Sequence, residues 1–70
     1  MNAEMLRQLL EIVERLNGHI NCVRWMKEKA DVEYHHQEAD EVEISIHHGD
    51  DEVSYYRWNL VHGDCWIETV

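Results

Sequence analysis

The sequence predicts a single α+β domain, in which an N-terminal amphipathic helix packs on an antiparallel sheet of three or four strands. Two observations predict this class. The first segment repeats its apolar residues at helical spacing, and the C-terminal part alternates apolar and polar residues between short turn signals. A length of 70 residues allows one domain, 1–70, with one hydrophobic core.

The helix is predicted over residues 3–17. Asn2 is a candidate N-cap, and Gly18 is expected to take the left-handed conformation that ends the helix. The stripe of apolar residues along this helix is wide for so small a protein. It either packs wholly against the sheet or contacts in part a second copy of the chain. Its apolar members are Met5, Leu6, Leu9, Leu10, Ile12, Val13 and Leu16.

Residues 19–30 fit two interpretations. Ile20, Val23 and Met26 recur at helical spacing, and the segment 27–30 consists of good helix formers. The segment 22–25 instead favours a strand, because it is rich in residues that prefer extended backbone. We predict a short second helix here and keep a strand as the alternative.

The remaining chain is predicted to be β. Residues 32–34 begin a possible strand, and three stronger strands are expected over 42–46, 53–60 and 65–70. Short turn signals separate the three, so they should form an antiparallel meander. The side chains expected to face the helix are Val42, Ile44, Ile46, Tyr56, Trp58 and Leu60, and we also expect Trp66 to be in the core. The alternative for the second of these strands is that Val53, Tyr55 and Arg57 face the helix, depending on the loop lengths.

Charge is distributed unevenly along the chain. The formal net charge is −9, from 15 acidic and 6 basic residues. Residues 31–70 hold eleven of the acids and one base, Arg57, whereas residues 1–30 are nearly balanced. Direct binding to nucleic acid or to an anionic membrane needs a basic surface, so this charge argues against both. Acidity keeps small proteins dispersed, but that role does not explain the imbalance.

The cysteines and the chain start predict a cytoplasmic protein, in the host cytoplasm if the protein is phage-encoded. Cys22 and Cys65 stand in neither metal nor redox spacing. No apolar run approaches the ~20 residues of a membrane span, and residues 1–5 do not resemble the start of a secretion signal. We therefore expect two reduced and mostly buried thiols, with one disulfide between them as the alternative.

Two pairs of adjacent histidines, beginning at His35 and His47, lie in the acidic stretch 33–52. If the two stretches that hold them form a hairpin, His35 and His47 become candidate zinc or nickel ligands, with Glu33 or Glu43 as a third. Neighbours in a strand point to opposite faces, so each pair offers at most one ligand per side. We therefore favour solvated strand-edge histidines and predict no cofactor.

Nothing in the sequence is typical of an active site, and we predict that the protein is not an enzyme. The only Ser and Thr residues are Ser45, Ser54 and Thr69, and none lies in a nucleophile elbow. Cys65 follows Asp64, whose charge disfavours a thiolate. Carboxylates are so numerous that none is distinguished as a general acid or base.

Two acidic clusters instead favour a binding function. The first surrounds a predicted bend and the second occupies the next turn. Adjacent turns of a meander lie at opposite sheet ends, so the clusters should be about 15–20 Å apart. Carboxylates placed so can pair with Arg and Lys in a groove built for phosphates. The predicted contact residues are Glu38, Asp40, Glu41 and Glu43, then Asp50, Asp51 and Glu52, with Tyr55 as an apolar anchor.

In size, acidity and helix-plus-meander form, the chain resembles the small proteins that phages make to disable host defences, including anti-CRISPR proteins and DNA mimics. The resemblance implies an inhibitor whose partner is a larger protein with a basic, nucleic-acid-binding surface. One alternative is a small homodimeric or assembly subunit that pairs through its helix and is only solubilised by its acids. The other is a metal-binding regulator that uses His35 or His47.

Overall fold

The computed structural model describes residues 2–28, 30 and 32–68. It contains α1 (Ala3–Leu16), β1 (His19–Met26), β2 (Glu41–His48), β3 (Glu52–Asn59) and β4 (Cys65–Glu68). The strands form one antiparallel sheet in the order β1-β2-β3-β4, with α1 packed on one face. The predicted α+β class is therefore confirmed. Thr69 and Val70, the predicted end of the last strand, lie outside the described residues.

Both ends of α1 are capped by local hydrogen bonds. The Met5 N–H donates to the Asn2 side chain over 2.8 Å, as the sequence predicted. At the other end, Asn17 takes the left-handed conformation with φ 52°, and the Gly18 N–H donates to the Val13 carbonyl. This is a Schellman motif. The prediction of Gly18 as the left-handed residue was wrong, because asparagine tolerates that conformation and occupies it first.

Gly18 is needed for a different reason. A Cβ built on it would lie 2.6 Å from the His47 carbonyl oxygen and 2.9 Å from Ile46 Cγ2. The chain leaving α1 therefore passes directly against β2, and only glycine leaves room for that approach.

The prediction of a second helix was wrong, because residues 19–26 form β1. This strand pairs antiparallel with β2 along its length, with a bulge between Ile20 and Cys22. Pairing with β2 hydrogen-bonds one side of the backbone of this segment, and β-branched and aromatic side chains favour the extended state. The possible strand over 32–34 is reduced to an isolated bridge between Glu33 and Met26.

The core lies between α1 and one face of the sheet. Each fully buried aliphatic side chain there contributes about 1.5–3 kcal/mol relative to exposure. The Trp58 indole N–H donates to Gln8 Oε1 over 2.9 Å, so the largest core side chain has its polar atom paired. The predicted core face of β2 and β3 is confirmed: the buried cluster contains Met5, Leu9, Ile12, Val42, Ile44, Ile46, Tyr56 and Trp58, with Leu60 packed against it.

Two burial predictions were wrong. Trp66 is 37% exposed, and Cys22 and Cys65 are both exposed free thiols. These residues lie on β1 and β4, the edge strands of the sheet. Three strand spacings of about 4.8 Å separate the edges, whereas the Cα atoms of a disulfide lie within about 7 Å. The fold therefore keeps the two cysteines too far apart to pair with each other.

Candidate functional site

The face of the sheet opposite α1, here called the open face, carries buried charge. Glu41, Glu43 and Ser45 alternate along β2 with the core residues, so they point away from the helix. The strand register places Arg24 of β1 and Arg57 of β3 on either side of Glu43. Glu41, Glu43 and Arg57 are all buried, although α1, the helix of the described residues, lies on the other face.

Arg24, Glu43, Arg57 and Glu41 form a row of alternating charge across three strands, here called the charged row. Arg24 Nη1 lies 3.3 Å from Glu43 Oε1, and Arg57 Nη2 lies 3.5 Å from Glu43 Oε2. Arg57 Nη1 lies 3.7 Å from Glu41 Oε1. Buried charges are tolerated only when they are paired, and the row pairs each carboxylate with at least one guanidinium.

Glu41 is the least satisfied member of the charged row. Its Oε1 is buried without a hydrogen-bond partner in the described part of the chain, and so is Arg57 Nε. Burial raises the pKa of Glu41 above its usual 4.5. The charge of Arg57 opposes that rise, and Asp40 and Glu28 add to it. A buried acceptor left unpaired is unfavourable by about 1–3 kcal/mol, so this position calls for a further donor.

A cleft of about 450 Å³ opens over this end of the open face. The Glu28 N–H donates to Asp40 Oδ1 over 2.7 Å, which fixes the chain on one side of it. On the other side, Asn59 Oδ1 accepts from the N–H groups of Val61 and His62 and shapes the β3–β4 turn. The residues that line the cleft are Glu28, Glu41, Arg57, Asn59, His62, Asp64 and Trp66.

The structure divides the first predicted acidic cluster. Glu38 is exposed in the loop before β2, and Asp40 is half-buried with its carboxylate bound to the Glu28 N–H. Glu41 and Glu43 do not stand at a bend but lie within β2, in the charged row. Their part in partner binding stays a prediction, and little of either side chain is accessible for it.

The second cluster remains together. Asp50, Asp51 and Glu52 are exposed at the β2–β3 hairpin. The eight residues of β2 separate this hairpin from Glu38 by about 25 Å at ~3.3 Å per residue, more than the expected 15–20 Å. Tyr55 is half-buried on the open face, opposite Ser45.

The arrangement on which the zinc or nickel alternative depended does not form. A hairpin between the two histidine-bearing stretches is absent from the described residues, because β2 pairs with β1 and β3 instead. His35 precedes β2 and His47 is near its far end, beside His19 with a ring-centroid distance of 5.1 Å. Among residues 2–28, 30 and 32–68, no three His, Cys, Asp or Glu side chains converge to hold a metal ion.

Sequence reasoning missed Arg57 as the centre of the open face, and it missed the cleft beside it. One signal was present: Arg57 is the only Lys or Arg in residues 31–70 and stands among aromatic residues of a predicted strand. Its partners depend on the register of β3 with β2, which the sequence did not define. Trp66 and Asp64 were noted individually, without reason to bring them together.

No family model, curated protein or solved structure matches this chain. Within the described residues, no helix combines the length and the apolar character needed to cross a membrane.

Proposed function

We propose that this chain is a non-catalytic acidic binding protein that covers the basic, nucleic-acid-facing surface of a larger protein. It would act as a phage-type anti-defence inhibitor does, such as an anti-CRISPR protein or a DNA mimic. One observation carries the proposal: Arg57, the only Lys or Arg of residues 31–70, is buried between Glu41 and Glu43. The described surface of residues 32–68 therefore presents carboxylates and no exposed Lys or Arg.

The exposed carboxylates are held on a framework suited to this role. Most of them lie in the loops and turns that connect the strands of a four-stranded sheet, and Glu52 begins β3. Carboxylates accept the same charge-assisted hydrogen bonds from Arg and Lys that phosphates do. The exposed members in this part of the chain are Glu33, Glu38, Asp50, Asp51, Glu52 and Asp64.

The β2–β3 hairpin is the strongest candidate for first contact. Its loop is only three residues long, because His48 pairs with Glu52. Gly49 and Asp51 both take positive φ, 58° and 66°, which gives the turn a defined shape. Asp50 and Asp51 are thus presented in a preordered array, and preorder reduces the entropy lost on binding.

The experiment begins with capture of the partner from the source cell and its purification. Association is then measured by stopped flow over a range of salt concentrations. The Asp50→Asn/Asp51→Asn variant should associate roughly tenfold more slowly at low salt, with a flatter salt dependence, because long-range attraction sets the rate. Added duplex DNA or RNA should compete with the wild-type chain for the partner.

The matched control is Glu11→Gln/Glu14→Gln, which removes the same charge from exposed positions of α1. It should change the rate much less, since those residues lie outside the acidic sheet surface. Equal effects of the two variants would mean that only net charge matters. No effect of either, or no competition by nucleic acid, would refute the proposed mechanism.

A second candidate function is that of a homodimeric or assembly subunit, and exposed apolar side chains favour it. Leu6 and Leu10 of α1 are 47% and 61% exposed. Gln8 bonds Trp58 of β3, so the opposite flank of α1, with Leu6 and Leu10, lies toward β1. Ile20 and Val23 of β1 are also exposed. Sedimentation equilibrium distinguishes the two candidates, because a tight dimer through this flank favours the subunit.

A further inference from the structure

The cleft on the open face combines an excess of carboxylates with a buried acceptor that lacks a hydrogen-bond partner among the described residues. Three carboxylates line it, from Glu28, Glu41 and Asp64, against one guanidinium, that of Arg57. That guanidinium is already shared between Glu41 and Glu43. The cleft also contains a buried carboxylate, Glu41, whose Oε1 has no hydrogen-bond partner in the described residues and whose side chain is only 4% exposed.

We propose that this cleft binds a guanidinium group, and that the group is the side chain of an arginine on the partner's basic surface. That the guanidinium group belongs to an arginine of the partner rests on the proposed function. The preference of the cleft for a guanidinium group does not rest on it. Glu41 accepts hydrogen bonds from the ligand at its base, Glu28 and Asp64 supply negative charge at its sides, and the Trp66 indole forms an aromatic wall.

The lining residues favour an organic cation over other ligands. An anion would meet three carboxylates and a guanidinium that is already engaged. A metal ion needs several converging ligands, and no such group of three is found among the described residues. A cation with N–H donors fits both the charge and the unpaired acceptor, because a buried carboxylate gains most from a charged donor.

Among organic cations, guanidinium fits better than ammonium. Its planar fork matches a carboxylate in two parallel hydrogen bonds, and it is less strongly hydrated than an ammonium group. It also stacks on indole, and Trp66 is 37% exposed, with its N–H held by Glu68 over 3.3 Å. A volume of about 450 Å³ accommodates an entire arginine side chain.

Binding requires a small local movement. Glu41 Oε1 lies beneath the cleft surface, 3.7 Å from Arg57 Nη1. That distance is too long for a hydrogen bond, so rotation of the carboxylate toward a ligand breaks none.

The test is a titration of the full chain with N-acetyl-arginine amide, followed by two-dimensional ¹H–¹⁵N NMR. We expect saturable shifts of the Trp66 indole N–H and of the backbone amides around Glu41 and residues 59–66. The citrulline analogue has nearly the same shape without the charge and should bind at least tenfold more weakly. The lysine analogue should also bind more weakly. Equal responses to the three probes, or shifts confined to Asp50 and Asp51, would overturn the proposal.

Two variants examine the cleft itself. Glu41→Gln keeps the shape and removes the charge, and it should weaken binding of the arginine probe by roughly tenfold. Trp66→Leu should also weaken it, and because Trp66 lies outside the core this change leaves the fold intact. Asp51→Asn, at the far hairpin, is the control and should leave probe binding unchanged. Unchanged binding in Trp66→Leu would overturn the proposal even if Glu41→Gln disturbed the fold.

Binding measurements with the captured partner show which molecule supplies the guanidinium group. If Glu41→Gln weakens binding of the captured partner as it weakens the probe, the arginine belongs to the partner. If only the probe is affected, the partner source is wrong and the cleft serves a free guanidinium compound. If the probe does not bind but Asp50→Asn/Asp51→Asn still slows the partner, this inference fails and the proposed function stands.

Discussion

At Gly18, the neighbouring strand β2 restricts which residue type fits the position. Its φ is not positive, so alanine is conformationally allowed there. In open space the replacement of glycine by alanine would stabilise the protein by about 0.4–1 kcal/mol through the unfolded chain. Here the new Cβ would meet the His47 carbonyl oxygen at 2.6 Å, and backbone cannot move aside cheaply.

We therefore predict that Gly18→Ala lowers the free energy of unfolding by about 1–3 kcal/mol, as overpacking does. Urea denaturation followed by tryptophan fluorescence measures it. Asn17→Gly is the local control and should change stability little, since glycine adopts the left-handed conformation without strain. A gain in stability for Gly18→Ala would contradict the close approach to β2.

Glu41 gives stability a specific pH dependence. Its pKa is raised above 4.5, chiefly by burial, so the folded protein binds its proton more tightly than the unfolded chain does. The stability that this tighter proton binding contributes is fully present below pH 4.5. It is lost as the pH rises through the pKa of Glu41 in the folded protein. Glu41→Gln has no such proton to lose.

The stability of Glu41→Gln relative to wild type should therefore increase as the pH rises from about 4.5 to neutrality. Thermal or urea unfolding of both proteins across that range measures the difference, and taking the difference cancels the other acidic groups. A difference that does not change with pH would show that burial does not raise the pKa of this carboxyl.

At the scale of elements, local sequence determined some segments and pairing determined others. α1 was predictable because Asn2, its stripe and the Asn17–Gly18 pair all specify the same helix. β1 was not, because its residues fit both periodicities. Its state is decided by β2, a strand fifteen residues further along the chain. Tertiary pairing overrides weak local preference in such segments.

The charged row is the element-scale feature most open to mutation. Arg57→Met should lower the free energy of unfolding by about 3–5 kcal/mol, because it leaves buried Glu41 without an opposite charge and Glu43 with only Arg24. Such a loss is large against the roughly 5–15 kcal/mol typical of whole domains. Chemical denaturation at neutral pH provides the measurement.

Arg7→Met is the matched control. Arg7 pairs with Glu4 over 3.1 Å, but both side chains are about two-thirds exposed. Water screens such pairs, so the change should alter stability by no more than about 1 kcal/mol. Similar losses for the two variants would mean that the charged row is not buried in solution.

At the scale of the whole molecule, the lopsided charge was readable from the sequence, but its placement was not. Counting residues predicted an acidic sheet, and the exposed hairpin acids Asp50 and Asp51 lie at a turn as expected. It did not reveal that Glu41 and Glu43 would be buried with Arg57, the only Lys or Arg of residues 31–70. That outcome depends on which residues face each other across strands, and a one-residue slip would reverse it.

The same register concentrates the accessible negative charge at the turns and loops. Internal pairing neutralises the middle of the open face, while Glu38 and the β2–β3 hairpin remain free of Lys or Arg partners among the described residues. A partner would therefore meet acidic groups at the two ends of β2 and the cleft between β2 and β4. The proposed contacts thus occupy separate places on the molecule.

The two exposed thiols on opposite edge strands make each molecule bifunctional toward oxidation. Because Cys22 and Cys65 cannot reach each other within the fold, air oxidation would link separate copies edge to edge into linear strings instead of closing a loop. Partial desolvation raises the pKa of the Cys65 thiol although its side chain is exposed, so this thiol reacts slowly with alkylating reagents at neutral pH. Slow alkylation at the β4 border offers a way to attach one probe at a chosen side of the sheet.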